Sequence, residues 1–217
     1  MPSSTCWSCG KDRALSDALC PHCGKVQPPP PGTQPDKFAV LGVSRSYPQG
    51  EALLDEKFRA LSRKLHPDRF ARASPRERRF SLEQTTLLND AYRTLKSPAR
   101  RAEHLLELRG IQVAPESHGA AMPIEFLEEA MEDREKLLEA KLGGGGSSDA
   151  VEKLAAGMRS KRDGTLSEIA ELFTALERPT KSDAPPADTL ARTALLLARL
   201  RYYARYLDEV EGRDPEV

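Results

Sequence analysis

Apolar residues recur at helical spacing within residues 36–110. Leu54, Phe58, Leu61 and Leu65 stand three or four positions apart. This spacing puts their side chains on one face of an α-helix, because the helix turns once in about 3.6 residues. The segment is therefore predicted to contain an amphipathic helix whose apolar face packs on a neighbour.

Two helix starts can be identified downstream of this helix. Ser74 is followed by a proline and, three positions after the serine, by Glu77. This arrangement is typical of a capping box with proline in the first helical turn. Ser97 also precedes a proline and is predicted to start a shorter helix that Gly110 ends.

The carboxy-terminal half is also predicted to be helical, because no two-residue alternation of apolar and polar positions persists there. Long helices are expected at about 123–142, 149–177 and 188–210. Glycine-rich residues 143–146 interrupt the pattern between the first two. Three long helices with short breaks predict an antiparallel three-helix bundle within residues 111–217.

Residues 1–26 contain two CxxC pairs, Cys6 with Cys9 and Cys20 with Cys23. Each CxxC turn brings two sulfurs to one side of the backbone, and two such turns can surround a metal without leaving an open position. A structural zinc site is predicted. An iron site of the rubredoxin type and a pair of disulfides remain as alternatives.

Residues 27–35 include four consecutive prolines and predict a stiff, extended linker. This linker is expected to separate the cysteine module from the helical segment, so that loss of the metal would leave the helices folded. Metal binding should supply most of the folding free energy of a segment as short as 1–26.

Charge and composition restrict the classes of function. The 217 residues include 33 Lys and Arg and 33 Asp and Glu, so the formal charge is zero. This balance argues against a nucleic-acid partner, because nucleic-acid-binding domains usually carry a basic excess. Neither a signal peptide nor an apolar run of membrane length is recognisable. Four cysteines in such a chain favour metal binding in the reducing cytoplasm, with no membrane partner.

The sequence His66-Pro67-Asp68 directly follows the amphipathic helix. In the order helix, HPD, loop and capped helix, the motif resembles the J domain, which docks on 70-kDa heat-shock chaperones and triggers their ATP hydrolysis. The resemblance implies a chaperone-binding surface formed by the motif and by basic residues of the preceding helix: Arg59, Arg63 and Lys64.

Elementary chemistry supports a docking role for these residues. Exposed basic side chains steer an acidic partner surface, mainly by raising the association rate. Pro67 has no amide hydrogen and fixes the turn, and Asp68 can pair with an arginine of a partner. The alternatives are a solvated helix face for the basic residues and a capping or core role for His66.

A narrower resemblance covers nearly the whole chain. The segment Leu88–Pro98, with the sequence LNDAYRTLKSP, is similar to the HscB family of iron–sulfur cluster assembly co-chaperones. So are Tyr47 and Pro48 in the first loop and the LRYY sequence at residues 200–203. The cysteine pairs ahead of a proline-rich linker resemble the longer, metal-binding form of HscB.

The HscB resemblance implies an all-α fold with a J-domain helical hairpin at 36–110, an antiparallel three-helix bundle at 111–217 and a small zinc-knuckle module at the amino terminus. It implies two protein partners. One is a 70-kDa chaperone of the HscA or DnaK type, whose ATPase the J domain stimulates. The other is the scaffold IscU, which the bundle binds. It implies a co-chaperone without catalytic residues, not an enzyme.

The helix predicted at 123–142 has two adjacent apolar stripes, more than one core face requires. One stripe contains Phe126 and Leu137, and the other contains Leu127 and Met131. The resemblance implies that the second stripe and its acidic border bind the scaffold. The matching residues are Leu127, Met131, Glu132, Glu135 and, on the next helix, Leu154. The alternative is that both stripes are buried, one in the bundle and one against the J domain.

Two other functions stay open at this point. A general J-domain co-chaperone would bind unfolded clients instead of IscU. A zinc-ribbon nucleic-acid-binding regulator would use the cysteine module, whose bases are Lys11, Arg13 and Lys25, and its binding would depend steeply on salt. A metalloenzyme is disfavoured because four thiolates leave no coordination position open.

Overall fold

A computed structural model describes residues 3–30, 32, 35–111, 122–142, 147–177 and 187–213. The chain divides into two compact units, Met1–Leu108 and Arg109–Val217. The glycine-rich break predicted at 143–146 and part of the proline-rich segment lie outside the described residues. In the part of the chain that is described, no helix is long and apolar enough to cross a membrane.

The first unit begins with two short strands, β1 (Ser3–Thr5) and β2 (Asp12–Ala14). They pair antiparallel, with Ser4 opposite Arg13. An isolated bridge joins Leu19 to Val26. These short strand pairings hold the backbone of the cysteine module, and the sequence patterns did not predict them.

Four α-helices follow among the described residues of the first unit. They are α1 (Lys37–Leu41), α2 (Glu51–Leu65), α3 (Pro75–Lys96) and α4 (Pro98–Glu107), and a 3₁₀ helix (Pro67–Phe70) lies between α2 and α3. The end of α2 lies beside the start of α3, because Ser81 Oγ donates to the Leu65 carbonyl at 2.6 Å. The start of α2 lies beside the end of α3, because Tyr92 OH donates to Asp55 at 2.6 Å. The two helices therefore form an antiparallel hairpin.

The start of α3 confirms the predicted capping box. Ser74 Oγ accepts from the Glu77 amide, and the Glu77 carboxylate accepts from the Ser74 amide, both at 3.3 Å. These bonds satisfy amides that have no partner within the helix. The five-residue α1 was not predicted, because it is too short to show a helical period; Asp36 caps it by accepting from the Phe38 amide at 3.0 Å.

The core of the first unit combines an apolar cluster with one buried cation. The largest fully buried apolar side chains are Phe38, Leu41, Leu54, Leu65, Leu88, Leu95 and Leu106. Arg101 is buried beside them and donates to the carbonyls of Leu95 and Tyr47, both at 2.8 Å. Its hydrogen bonds compensate for removing a guanidinium group from water and join α4 to the loop before α2.

The second unit contains α5 (Ile124–Leu142), α6 (Ser147–Glu177) and α7 (Ala187–Glu211). Tyr202 OH donates to the Ala130 carbonyl at 2.9 Å, and Tyr206 OH donates to the Asp133 carbonyl at 3.3 Å. Residues advance in the same direction along both helices, so α7 runs parallel to α5. The fully or almost fully buried side chains of this bundle include Phe126, Leu137, Ile169, Phe173 and Leu197.

The helix α6 runs antiparallel to both of its neighbours, α5 and α7. It pairs with α7 through Arg192 and Glu168 and, at the other end, through Arg159 and Glu211. On its α5 side, Lys161 forms ion pairs of 2.8 Å with both Glu129 and Asp133. The up-down-up arrangement is the predicted antiparallel three-helix bundle.

The proline-rich segment does not keep the cysteine module away from the helices, contrary to the sequence-based expectation. The Trp7 ring packs edge-on against Phe80 of α3, with their centroids 6.2 Å apart. Lys25 forms an ion pair of 2.8 Å with Glu77 at the start of the same helix. The module and helices α1 to α4 share one compact unit, because residues on both sides of the linker supply matching apolar and charged groups.

Candidate functional site

The four cysteines meet in one cluster, as predicted. Cys6 Sγ lies 3.7 Å from Cys23 Sγ, Cys9 Sγ lies 3.7 Å from Cys20 Sγ, and all four sulfurs lie within 4.8 Å of one another. Four sulfurs at about 2.3 Å from a tetrahedral metal are separated by about 3.8 Å, so the cluster has the size of a metal site. All four cysteines are free in this structure.

The two CxxC turns have the same geometry. In each, the amide of the first cysteine donates to the carbonyl five residues later, at 2.9 Å for both Cys6 and Cys20. A glycine four residues after that cysteine donates back to its carbonyl, and Gly10 and Gly24 have φ values of 70° and 72°. Glycine adopts this left-handed backbone at little cost. The repeated turn points one pair of sulfurs from each side into a common centre.

Hydrogen bonds prepare one of the thiols for ionisation. Burial raises the pKa of Cys6, but the backbone amides of Cys9 and Ser8 donate to its sulfur and the balance lowers the pKa to about 6. For Cys23, the backbone of Lys25 lowers the pKa, while desolvation and the other thiols raise it to about 11. Thiolates crowded together repel one another, so a cation at the centre is needed to ionise the whole set.

A buried glutamine, Gln27, bonds one of the four sulfurs. The Gln27 amide nitrogen donates to Cys6 Sγ at 3.3 Å and to the Lys25 carbonyl at 2.8 Å. Such outer contacts orient metal ligands. Sequence reasoning missed Gln27 because it lies in the proline-rich segment outside the CxxC pattern.

His22, between two cysteines in sequence, is exposed and lies 3.2 Å from the Asp12 carbonyl. A donor set of four sulfurs fits zinc or iron and leaves no position for substrate.

The HPD motif forms a projecting turn after α2. His66 ends α2 and caps the 3₁₀ helix that follows, because its Nδ1 accepts from the Asp68 amide at 3.3 Å. Pro67 occupies the first position of this short helix, where no amide hydrogen is needed. The side chains of His66 and Asp68 are 53% and 89% exposed. Both are therefore presented to solvent, and a core role for His66 is excluded.

Two hydroxyl groups of α3 fix the backbone just before this turn. Ser81 Oγ and Thr85 Oγ1 donate to the Leu65 carbonyl at 2.6 and 3.2 Å. Ser81 is fully buried, and the Leu65 side chain is almost fully buried. Sequence reasoning missed both hydroxyls, because a serine and a threonine inside a helix carry no signal of a contact 16 or 20 residues away.

The three predicted basic residues of α2 are exposed beside the motif. Arg59 also contacts its own helix, since its Nε donates to the Asp55 carbonyl at 3.1 Å. Arg63 and Lys64 lie in the last turn of α2, where positive charge interacts favourably with the helix dipole. The structure thus brings all six predicted chaperone-binding residues to one end of α2 and the turn that follows it, with Arg59 at one margin.

The two apolar stripes of α5 have different environments. Phe126 and Leu137 are buried in the bundle, whereas Leu127, Met131 and Leu138 are 48%, 68% and 57% exposed. The second stripe is therefore not buried within the bundle. We use the term α5 patch for the exposed apolar side chains of this helix. They are Ile124, Leu127, Met131, Leu138 and Leu142.

Acidic side chains border the α5 patch. Glu132 is exposed and forms an ion pair of 3.2 Å with Lys136, and Glu135 is exposed as well. Leu154, the remaining predicted scaffold-binding residue, is half-buried on α6. Four of the five predicted residues thus lie exposed on one helix.

Comparison with known proteins decides the family. The family model described as the HSCB C-terminal oligomerisation domain matches residues 122–211. The iron–sulfur cluster co-chaperone protein HscB of Mus musculus is 32% identical over 209 residues, which cover 95% of this chain and 81% of the mouse protein. This chain belongs to the HscB family.

Two further HscB proteins agree with this assignment. The co-chaperone protein HscB homolog of Shewanella halifaxensis is 35% identical over 183 residues, covering 80% of this chain and 93% of that protein. The crystal structure of the human HscB co-chaperone aligns with a TM-score of 0.79 at 28% identity, covering 96% of this chain and 98% of the human chain. The predicted all-α fold, with its small amino-terminal module, is confirmed.

Ser81 and Thr85, whose hydroxyls bond the Leu65 carbonyl, form what we call the hydroxyl clamp. This clamp leads to a stability prediction. Ser81→Ala should lower the free energy of unfolding by about 0.5 to 1.5 kcal/mol, because the Leu65 carbonyl loses its shortest hydrogen bond but keeps the one from Thr85. Urea denaturation measures the loss. Thr86→Ala is the matched control, since Thr86 is exposed and its hydroxyl bonds the Leu82 carbonyl of its own helix. Equal effects of the two substitutions would show that the clamp contributes nothing.

Proposed function

We propose that this HscB-family chain is a J-domain co-chaperone of iron–sulfur cluster assembly. It binds the ATPase domain of a 70-kDa chaperone of the HscA or DnaK type through the HPD turn and the basic end of α2. It binds the scaffold IscU through the α5 patch. The observation that supports this proposal best is the presence, on one chain, of an exposed HPD turn and of an exposed apolar helix face with an acidic border.

The chaperone-binding surface combines attraction with a fixed shape. Arg59, Arg63 and Lys64 attract an acidic partner over a distance of about a Debye length. The exposed Asp68 carboxylate can then form a charge-assisted bond with an arginine. Because α3 holds the last carbonyl of α2, the turn does not have to be ordered at the moment of binding, and the entropic cost of binding is smaller.

The scaffold-binding surface has the composition of a protein interface. Large exposed apolar side chains are grouped on α5, and charged side chains surround them, as in the core and rim of many interfaces. The helix is held in register by Tyr202, Tyr206 and Lys161, which contact the side of α5 that faces the bundle. The α5 patch is thus presented by a helix whose buried face is already packed.

The cysteine cluster is proposed to hold zinc. When bound, the metal would be held by Cys6, Cys9, Cys20 and Cys23 and would supply folding free energy without catalysis. Reduced thiols of this kind persist in the cytoplasm, where we place the protein. The chain would thus act by binding partners and not as an enzyme.

The HPD turn can be tested with a pair of matched substitutions. Asp68→Asn should abolish stimulation of the chaperone's ATPase, because it removes an exposed charge from the docking turn. The melting curve should change little, since exposed substitutions usually cost within about 0.5 kcal/mol. Asp163→Asn makes the same change at an exposed position of the bundle and should leave stimulation intact. Full stimulation by the Asp68 variant would contradict the J-domain assignment.

The α5 patch can be tested by calorimetric titration of IscU. Leu127→Ala combined with Met131→Ala should weaken binding at least tenfold, which is ~1.4 kcal/mol, because interface energy concentrates in a few central apolar residues. Thermal stability should change little, since both side chains are exposed. Leu137→Ala on the same helix should instead cost about 2 to 5 kcal/mol of stability, because it empties a buried site. Unchanged IscU affinity, with unfolded clients still bound, would favour a general co-chaperone.

The metal proposal predicts about one zinc per purified chain, measured by elemental analysis. Cys6→Ser or Cys20→Ser should lose the metal, because three thiolates leave the tetrahedron incomplete. His22→Ala should retain it, since that ring lies beside the Asp12 carbonyl and not among the sulfurs. Iron at the same stoichiometry would contradict the choice of zinc, and a metal-free protein with disulfides would contradict the site itself.

A further inference from the structure

The cysteine module is joined to α3 by an aromatic contact. The Trp7 and Phe80 rings meet edge-to-face at 6.2 Å, and the Arg76 guanidinium lies 4.5 Å from the centre of the Trp7 ring. The indole nitrogen donates to the Val26 carbonyl at 2.7 Å. Trp7 lies between Cys6 and Cys9 in sequence, so the turn that presents the sulfurs also presents this ring to α3.

A polar contact joins the same two parts more directly. Gln84 of α3 donates from its amide nitrogen to the Gln27 backbone carbonyl at 3.0 Å, and Gln27 donates from its own amide nitrogen to Cys6 Sγ at 3.3 Å. The Gln27 and Gln84 side chains are 0% and 4% exposed. In the described residues, the Gln27 Oε1 atom has no hydrogen-bond partner, so its amide is held by its two donated bonds. Two hydrogen bonds therefore connect a metal ligand to the middle of α3.

The region of α3 that receives the module also contacts the residue before the HPD turn. Glu77, which pairs with Lys25, belongs to the capping box that starts α3. Ser81 and Thr85, on either side of Gln84 in sequence, hold the Leu65 carbonyl. Residues 77–85 thus contact the module on one side and the end of α2 on the other.

We propose that metal occupancy of the four-cysteine centre regulates the J domain, with Gln27 as the positioning residue that links Cys6 to α3. When the metal leaves, the module loses the free energy that folds it. Trp7 and Gln27 then leave α3, so Phe80 loses its apolar cover and Gln84 loses a buried acceptor. The first half of α3 is destabilised, and the hold of Ser81 and Thr85 on Leu65 weakens with it.

The same coupling must operate in reverse, because two linked equilibria affect each other equally. A substitution in α3 that disfavours the docked module must weaken metal binding, although α3 contributes no ligand. An independently folded module would show neither effect. This inference rests on the proposed function only for its consequence on the chaperone, since its structural part concerns the isolated chain.

Hydrogen exchange in the full chain tests the forward direction. The metal is removed with a chelator under reducing conditions, and amide exchange is followed by mass spectrometry. Peptides covering residues 77–88 should exchange at least about tenfold faster without the metal, within the range of measured couplings between sites. Peptides from α6 serve as the internal reference and should not change. Equal protection of α3 with and without the metal would overturn the proposal.

Zinc affinity tests the reverse direction. In equilibrium competition with a chromogenic chelator, Gln84→Ala should weaken zinc binding by at least about fivefold, and Gln27→Leu by about tenfold or more, as expected for a residue that contacts a ligand. Thr86→Ala, on the exposed side of the same helix, should bind zinc with the wild-type affinity. Wild-type zinc affinity of the Gln84 variant would overturn the coupling. Neither experiment uses a chaperone, so their results are independent of the ATPase test of the proposed function.

Discussion

The hydrogen bond from Ser81 to the last carbonyl of α2 is the contact on which the exposed surface of the first unit depends. Helices end with carbonyls that lack a partner within the helix, and a buried one must be satisfied from elsewhere. Here α3 supplies the partner, and a proline follows His66 and stops α2 from continuing. The chain must therefore turn outward at this point, and His66 and Asp68 are exposed because the residue before them is held inside.

Helix α3 joins three parts of the first unit. Its capping box starts at Ser74, just beyond the short helix that contains Asp68, its buried face packs on α2, and Phe80 and Gln84 receive the cysteine module. In the bundle, α5 likewise has one buried face and one exposed face. Phe126 and Leu137 anchor α5, so the adjacent stripe stays available to a partner. In both units, a firmly packed helix presents groups that contribute little to its own stability, which is the arrangement that the proposed linking of two partners requires.

Local patterns sufficed to predict the long helices, the Ser74 capping box, the four-cysteine cluster and the HPD turn, because each depends on residues a few positions apart. Contacts between distant segments were not predictable in the same way. Gln27 touches Cys6 across 21 residues, and Ser81 reaches Leu65 across 16. The proline-rich segment indicated separation, yet Trp7 and Lys25 find partners on α3. Periodicity showed two apolar stripes on α5, but only packing against Tyr202 and its neighbours decided which one is buried.

The central claim is that one chain joins a chaperone to a scaffold, and a complementation experiment tests it most directly. One variant carries His66→Gln, and the other carries Leu127→Ala with Met131→Ala. ATP turnover by the chaperone is measured with IscU and an equimolar mixture of the two variants. Because each variant retains only one surface, the account predicts that the mixture lacks the extra stimulation that the unaltered chain gives with IscU. Full extra stimulation by the mixture would contradict the account, because the two surfaces would then not need to be joined.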